Sequence, residues 1–257
     1  MGLESKIRTG QYLVDKDLNQ LTFLDVRFYP DDNGGYQPSV STVLDAYPKG
    51  EFFYKWLKEN GEDADAIRDE AGETGSIVHG LCERYDEGDE VSVIDETGRI
   101  KYKAKEWNMF EKYVSWCDAF NPEILENERS MCSKNLGFGG TLDKRIILDG
   151  QKVILDLKTS NMIHDTYWMQ LAAYKKMYEE LTGDIMDNIA ILWLNAKTRT
   201  EKYKAGEIYQ LKGVQLLFPP KDIEHYWKLF LHCQALWTEV NGDLKPRDLT
   251  YSLTHKK

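Results

Sequence analysis

The clearest hydrophobic pattern in the chain lies between residues 145 and 155. Two runs rich in branched apolar side chains, Arg145–Leu148 and Lys152–Leu155, flank the dipeptide Asp149-Gly150. An Asp-Gly pair between two such runs is the strongest short-range signal for a β-hairpin with a two-residue type I′ turn. The sequence therefore predicts a hairpin here, with residues 149 and 150 as its loop.

That turn fixes which residues of the hairpin face each other. If residue 148 faces residue 151, Asp143 lies opposite Asp156, with their Cβ atoms about 5 Å apart on one face. Lys158 points to the same face, because strand side chains alternate. Two opposed carboxylates repel each other, and a Mg²⁺ ion held by one or two carboxylates would compensate them. A solvated face, on which Lys158 bridges the two acids, is the alternative.

Apolar periodicity elsewhere predicts a mixed α/β fold. Residues 21–29 alternate as a strand, and residues 124–131 and 188–194 are expected to be strands of a central sheet. Helices are predicted over residues 39–46, 51–60, 74–85, 103–120, 166–181 and 222–240. The helix over 51–60 is rich in aromatic residues, which we expect to lie in the core, with a base-stacking platform as the alternative. These aromatic residues are Phe52, Phe53, Tyr54 and Trp56.

Four short segments occur in an order that resembles a known nuclease superfamily. Asp143, the tripeptide Asp156-Leu157-Lys158 and the later segment Gln170–Tyr174 resemble the PD-(D/E)xK nucleases, in their RecB-like exonuclease branch. Upstream, Gly75–Glu83 is similar to the Gly-(Thr/Ser)-x-x-His-x-x-x-Glu helix of that branch. Tyr36–Leu44 is similar to the entry segment of exonucleases of the phage and mitochondrial-genome-maintenance type.

The resemblance implies a restriction-endonuclease-like core, in which helices flank a central mixed β-sheet, preceded by a helical N-terminal segment. It also implies that His79, Asp143, Asp156 and the carbonyl of Leu157 hold one or two Mg²⁺ or Mn²⁺ ions. Lys158 would complete the catalytic set by positioning or deprotonating the attacking water. The expected activity is metal-dependent DNA exonuclease cleavage in recombination, repair or phage DNA processing. An endonuclease of the same fold, a nuclease acting on RNA and an inactive DNA- or protein-binding module stay open.

Several residues of these segments have a second interpretation. His79 and Glu83 share one helix face, so they could form a surface pair instead of a metal ligand and its supporting residue. Glu128 resembles an acidic residue that precedes the hairpin in this branch, although it could equally face solvent. Gln170 and Tyr174 are expected to contact a phosphate or a flanking base; Tyr174 could alternatively support Lys158 or be a buried tyrosine.

The charge balance restricts how the chain could contact nucleic acid. With 33 basic and 43 acidic residues, the net charge is 33 − 43 = −10, which argues against a broad electrostatic footprint for DNA. The most basic stretch runs from residue 197 to residue 204. We expect it to contact the DNA backbone, with a merely exposed hairpin as the alternative. Its cations are Lys197, Arg199, Lys202 and Lys204.

The remaining sequence features bear on cofactors, location and domain organisation. The four cysteines, at positions 82, 117, 132 and 233, form no close pair, so we expect reduced thiols, no iron–sulfur cluster and a cytoplasmic protein. No apolar run is long enough to span a membrane. One nuclease domain over 1–257 is expected, with an N-terminal embellishment over 1–72, a catalytic core over 73–196 and a basic hairpin with a C-terminal helix over 197–257.

Overall fold

A computed structural model describes residues 6–9, 12–15, 20–24, 26–199, 202–204 and 208–246. Its N-terminal part is a five-stranded antiparallel sheet in which the strands follow one another in chain order. These strands are β1 (Lys6–Thr9), β2 (Tyr12–Asp15), β3 (Gln20–Phe23), β4 (Val26–Pro30) and β5 (Tyr36–Pro38). The single strand predicted over 21–29 is wrong, because Leu24, at a φ of 49°, starts a turn that divides it into β3 and β4.

The second sheet has seven strands and confirms the predicted mixed α/β class. Its strands are β6 (Glu123–Ser133), β7 (Phe138–Leu148), β8 (Gln151–Lys158), β9 (Asn188–Trp193), β10 (Lys202–Lys204), β11 (Ile208–Leu211) and β12 (Val214–Leu217). They lie in the order β10-β11-β12-β9-β8-β7-β6. Only β8 and β9 pair in parallel among these described strands, and α5 (Asp165–Thr182) connects them. A parallel pair needs such a crossover.

Helices cover both faces of this sheet. They are α1 (Val40–Leu44), α2 (Glu51–Asn60), α3 (Ala64–Asp86), α4 (Ala104–Phe120), α5 and α6 (Ile223–Asn241). Strand β8 shows how the two layers are separated. Ile154 packs in the core formed with α1, α5 and α6, whereas Val153 and Leu155 pack in the core formed with α3 and α4. Burial on both faces explains why β8 reads as a continuous apolar run.

The hairpin of β7 and β8 has the predicted turn and register. Asp149 and Gly150 both have positive φ, 49° and 78°, as a type I′ turn requires. The ladder runs from Leu148 opposite Gln151 to Lys144 opposite Leu155. It ends one step before Asp143 and Asp156, so these two acids lie just beyond the regular part of the hairpin.

The aromatic helix α2 differs from its prediction. Its bounds, Glu51–Asn60, are those expected, but none of its residues is buried. Phe52 is 87% exposed and Tyr54 is 54% exposed. The expectation that these aromatics lie in the core is therefore wrong. The cause is tertiary: no residue of α2 belongs to the apolar clusters of the described residues.

Three further observations bear on the sequence expectations. The four cysteines are free thiols. Burial raises the pKa of Cys82, and it raises the pKa values of Cys117 and Cys132 to about 12. Among the described residues, no helix has both the length and the apolar content that a membrane crossing needs. The suggested boundary between residues 72 and 73 falls within α3.

Candidate metal centre

Three side chains from three different elements converge beside the hairpin. His79 comes from α3, Glu128 from β6 and Asp143 from β7. The His79 Nδ1 atom lies 3.4 Å from Asp143 Oδ2 and 4.0 Å from Glu128 Oε1. One ligand atom from each residue falls within 4.8 Å of the other two, so the group could hold a metal ion. Two carboxylates and one imidazole suit a divalent cation.

The other ring nitrogen of His79 fixes how the ring faces this group. His79 Nε2 lies 3.0 Å from the carbonyl oxygen of Leu157. A carbonyl only accepts, so Nε2 carries the proton and donates it. The Nδ1 atom then points at the two carboxylates. Metal-ligating histidines are commonly held in this way, by a hydrogen bond from the nitrogen that does not bind the ion.

Asp143 joins the two strands of the hairpin where their ladder ends. Its Oδ2 accepts a hydrogen bond from the backbone nitrogen of Leu157 at 2.9 Å. The strand changes faces at this point: Leu142 packs in the α5 core, whereas Ile146, also at an even position, packs in the α3–α4 core. Two adjacent regular strands would have kept one alternation throughout. The irregularity lets the Asp143 carboxylate meet both β8 and α3.

Glu128 owes its place to a local backbone feature. Its φ is 45°, a value that costs a non-glycine residue about 1 kcal/mol or more. Its neighbours Asn127 and Arg129 pair with Lys144 and Leu142, so Glu128 falls opposite Asp143. Burial, followed by the charge of Asp143, raises the pKa of Glu128 to about 8. Of its two sequence interpretations, the structure therefore favours a place in the site.

Asp156 and Lys158 form a buried pair on the next strand. Asp156 is 2% exposed, and its Oδ2 lies 2.6 Å from Lys158 Nζ. The contact lacks hydrogen-bond geometry, and Asp156 Oδ2 has no hydrogen-bond partner among the described residues. The pKa of Asp156 is raised overall. Burial and the charge of Asp143 raise this pKa by more than the charge of Lys158 lowers it. An acidic oxygen that is buried and lacks a hydrogen bond fits a metal ligand.

Lys158 is held by the helix that follows it. Its Nζ donates to Gln170 Oε1 at 3.3 Å and lies 4.5 Å from the ring centroid of Tyr167. Burial lowers the pKa of Lys158, but the charges of Asp156 and Asp143 outweigh it and raise that pKa overall. The lysine is therefore a cation at neutral pH. No sequence motif points to Tyr167, which lies eleven positions from Asp156 and meets Lys158 only through the crossover.

Gln170 and Tyr174 lie on the Lys158 side of the site. Gln170 Nε2 donates to the Tyr174 hydroxyl at 3.1 Å. Tyr174 is 5% exposed, and its ring lies against Gly140, where an added Cβ would be 2.4 Å from Tyr174 Cε1. A supporting role for Tyr174, one of its sequence interpretations, agrees with this placement. Contact with DNA stays a prediction for both residues.

The other predicted site residues lie outside the group of three. Glu83 follows His79 by one turn of α3. The pKa of Glu83 is raised, and burial is the largest cause. Lys197 and Arg199 are exposed in the segment after β9. Lys202 and Lys204 lie on β10, the edge strand, four strand spacings or about 19 Å from β8. The side chains of these two lysines, and residues 200 and 201, lie outside the described part of the chain.

Comparisons with known proteins do not place the chain in a family. No protein-family profile matches it, and no curated protein matches it. Fourteen chains of solved structures do match. One of them, the crystal structure of a protein called SSO0001, is 11% identical, and the match covers 63% of this chain and 86% of that chain at a TM-score of 0.28. A likeness at this level carries no argument about function.

Proposed function

We propose that this protein is a Mg²⁺- or Mn²⁺-dependent DNA exonuclease. The observation that carries the proposal is the convergence of His79, Glu128 and Asp143 within 4.8 Å, beside the buried pair of Asp156 and Lys158. These are the residue types that hydrolysis of a phosphodiester needs: oxygen-rich ligands for a hard cation and a separate fixed positive charge. A cytoplasmic location, in which the thiols stay reduced, is part of the proposal.

The side chains that would hold the ion are His79, Glu128, Asp143 and Asp156. The buried Oδ2 of Asp156, which has no hydrogen-bond partner among the described residues, and the carboxylate of Glu128, which is protonated below a pKa of about 8, would both be stabilised by a bound cation. The Leu157 carbonyl accepts a hydrogen bond from His79 Nε2. It lies on the opposite side of the ring from Nδ1, so it orients the ring and does not bind the same ion. When bound, the ion polarises a phosphoryl oxygen and makes a bound water more acidic.

Lys158 supplies a positive charge where negative charge develops on the phosphate. Its raised pKa makes it a poor base and a stable cation. Asp156 and the Tyr167 ring hold it in place, and Gln170 accepts one of its protons. A donor that is already oriented spends no energy on reorganisation during the reaction. Positioning the attacking water therefore fits Lys158 better than deprotonating it.

The DNA backbone would approach from the basic segment over residues 197–204. Lys197, Arg199, Lys202 and Lys204 are the proposed phosphate contacts. Each phosphate that is neutralised contributes about −0.9 to the slope of log affinity against log salt concentration. Gln170 and Tyr174 are proposed to contact the DNA near the scissile phosphate. Gln170 would do so through the same side-chain amide that accepts a hydrogen bond from Lys158.

One assay tests the activity and its class together. The protein is incubated with linear DNA labelled at either end and with closed circular DNA, each in Mg²⁺, Mn²⁺ or EDTA. Loss of linear DNA alone, only with a metal present, is the expected result. Cutting of circles would show an endonuclease, and binding without cleavage would show an inactive module. Lys152→Met, which changes an exposed lysine of the same strand, is the matched control.

A further inference from the structure

A second polar cluster is buried behind the candidate metal centre. Lys144 Nζ donates to Asp86 Oδ2 at 2.5 Å and to Asn127 Oδ1 at 2.7 Å. The Tyr113 hydroxyl donates to both oxygens of Asp86, each at 2.8 Å, and the Tyr113 ring lies 5.3 Å from Lys144 Nζ. The side chains of Lys144 and Asp86 are 3% and 2% exposed. None of these four residues belongs to the proposed catalytic set.

The helical member of the cluster shares an element with a metal ligand. Asp86 follows His79 on α3 by seven residues, or two helical turns, so the two side chains lie on one face of the helix. A hydrogen bond at Asp86 therefore fixes the rotation of α3 about its axis and its height above the sheet. Those two quantities set where the His79 ring lies.

The strand members of the cluster adjoin the two carboxylates. Asn127 precedes Glu128 on β6, and Lys144 follows Asp143 on β7. Asn127 and Lys144 are partners in the ladder, immediately beside the irregular pair that supplies the carboxylates. The Lys144 side chain thus ties β6, β7 and α3 together, and these are the three elements that supply the group.

The energetics of burial indicate that the cluster is there for more than stability. Removing a lysine and an aspartate from water costs several kcal/mol per ion, and apolar residues of similar volume often stabilise a fold as well as the pair does. What an ion pair adds is direction, because its hydrogen bonds are satisfied in one arrangement only. Here Asn127, a member of that arrangement, directly precedes Glu128 and its left-handed backbone.

We propose that Lys144, with Asp86 and Asn127, is a positioning residue that sets the distance from His79 to Glu128 and Asp143 and so tunes the affinity for the divalent ion. The proposal rests on the proposed function only in requiring that the group binds a metal. Its members do not touch the substrate. They act by holding α3 at a fixed height over the β6–β7 pair.

The test compares Mn²⁺ affinity in two double variants. Lys144→Met with Asp86→Asn removes both charges, keeps an acceptor for Tyr113 and approximately conserves volume. Lys152→Met with Asp184→Asn is the control, because it also removes both charges of an ion pair, here near the turn of the hairpin. The Mn²⁺ dissociation constant of each folded protein is measured by electron paramagnetic resonance, well below its melting temperature. We expect binding weaker by at least about tenfold in the first variant and unchanged in the second.

The outcomes separate this inference from the proposed nuclease activity. A Mn²⁺ dissociation constant within about twofold of wild type in the Lys144 double variant would overturn the positioning role, even if its melting temperature falls. If that variant does not fold, Asn127→Ala, which leaves the ion pair intact, decides instead by the same criterion. Wild-type protein that binds Mn²⁺ but cleaves no nucleic acid contradicts the proposed nuclease and not this inference. Wild-type protein that binds no Mn²⁺ contradicts both.

Discussion

Two buried lysine–aspartate pairs lie on opposite sides of one hairpin strand pair, and they differ in how well they are satisfied. In the pair of Lys144 and Asp86, both aspartate oxygens accept hydrogen bonds. In the pair of Lys158 and Asp156, one aspartate oxygen has no hydrogen-bond partner among the described residues, and the pKa of the acid is raised. The same residue types thus form a fully hydrogen-bonded tie in one place and part of the proposed metal centre in the other.

The difference follows from how each pair is connected. Asp86 and Lys144 are 58 residues apart and come from a helix and a strand, so each side chain approaches its partner freely. Asp156 and Lys158 are two residues apart on one strand. Side chains so placed stand roughly parallel on one face, which keeps them close without aligning a donor with an acceptor. The Asp156–Lys158 pair therefore leaves Asp156 Oδ2 without a hydrogen bond from the described residues.

The largest effect is expected on stability, from removing only the lysine of the Lys144–Asp86 pair. Lys144→Met leaves Asp86 charged and buried, which should destabilise the protein by about 3–5 kcal/mol. Urea unfolding in EDTA measures this loss. Lys152→Met, at an exposed pair, should cost less than about 1 kcal/mol. Equal losses of unfolding free energy in the two variants would mean that the Lys144–Asp86 pair does not hold α3 to the sheet.

The next effect is expected from Lys158, and it changes the cleavage rate and not the stability of the fold. Lys158→Met should lower the cleavage rate by about 10²- to 10³-fold, because the developing charge on the phosphate loses a preorganised partner. Mn²⁺ binding should persist, since Lys158 is not a ligand. Single-turnover cleavage at saturating metal measures the rate, and a loss below about threefold would remove Lys158 from the mechanism.

A smaller effect is expected from pH, with opposite signs for stability and for metal binding. Because the pKa of Glu128 is raised from 4.5 to about 8, the metal-free fold is favoured by the protonated acid. Its contribution is full below the ordinary value and is lost as the pH rises through about 8. The metal needs the carboxylate, so Mn²⁺ affinity should instead rise about fivefold from pH 7 to pH 8.

Mn²⁺ titrations and thermal melts in EDTA from pH 5 to pH 9 measure both trends. Glu128→Gln cannot ionise, and it should flatten the upper part of each profile. An affinity that does not change with pH in the wild type would place the ion away from Glu128.

The smallest expected effect tests repulsion among the acids. Asp143→Asn keeps an acceptor for the Leu157 nitrogen and removes one charge beside Glu128 and Asp156. Metal-free protein should gain up to about 1 kcal/mol of stability, lose most of its Mg²⁺-induced rise in melting temperature, and lose activity. Melts with and without Mg²⁺ measure it. The same Mg²⁺ shift before and after mutation would show that the metal binds elsewhere.

Local sequence was enough to predict the hairpin and its neighbours. The Asp149-Gly150 dipeptide fixed the turn, and the turn fixed the register as far as Lys144 and Leu155, because hairpin pairing is determined by adjacent residues. The placement of His79 depended on a resemblance in which four motifs occur in order. The structure brings its ring to Asp143, as the resemblance implied.

The features that the sequence did not reveal all depend on long-range contacts or unusual backbone. Glu128 could face the site or the solvent, and only its left-handed φ decides between them. The tie between Asp86 and Lys144 joins distant segments that no local period connects. The exposure of Phe52 and Tyr54 depends on where α2 lies, since an amphipathic pattern indicates one face and not what covers it.

The paired glycines of β7 have a consequence for how relatives of this chain could be recognised. Consecutive strand residues face opposite sides of a sheet, and Gly139 lies against Tyr29 of the N-terminal sheet, whereas Gly140 lies against Tyr174 of α5. An added Cβ would be 2.5 Å from a Tyr29 atom at the first position and 2.4 Å from a Tyr174 atom at the second. A search pattern of Gly-Gly-x-x-Asp, with a tyrosine four residues after a glutamine downstream, should therefore separate homologues from chance matches to the acidic motif alone.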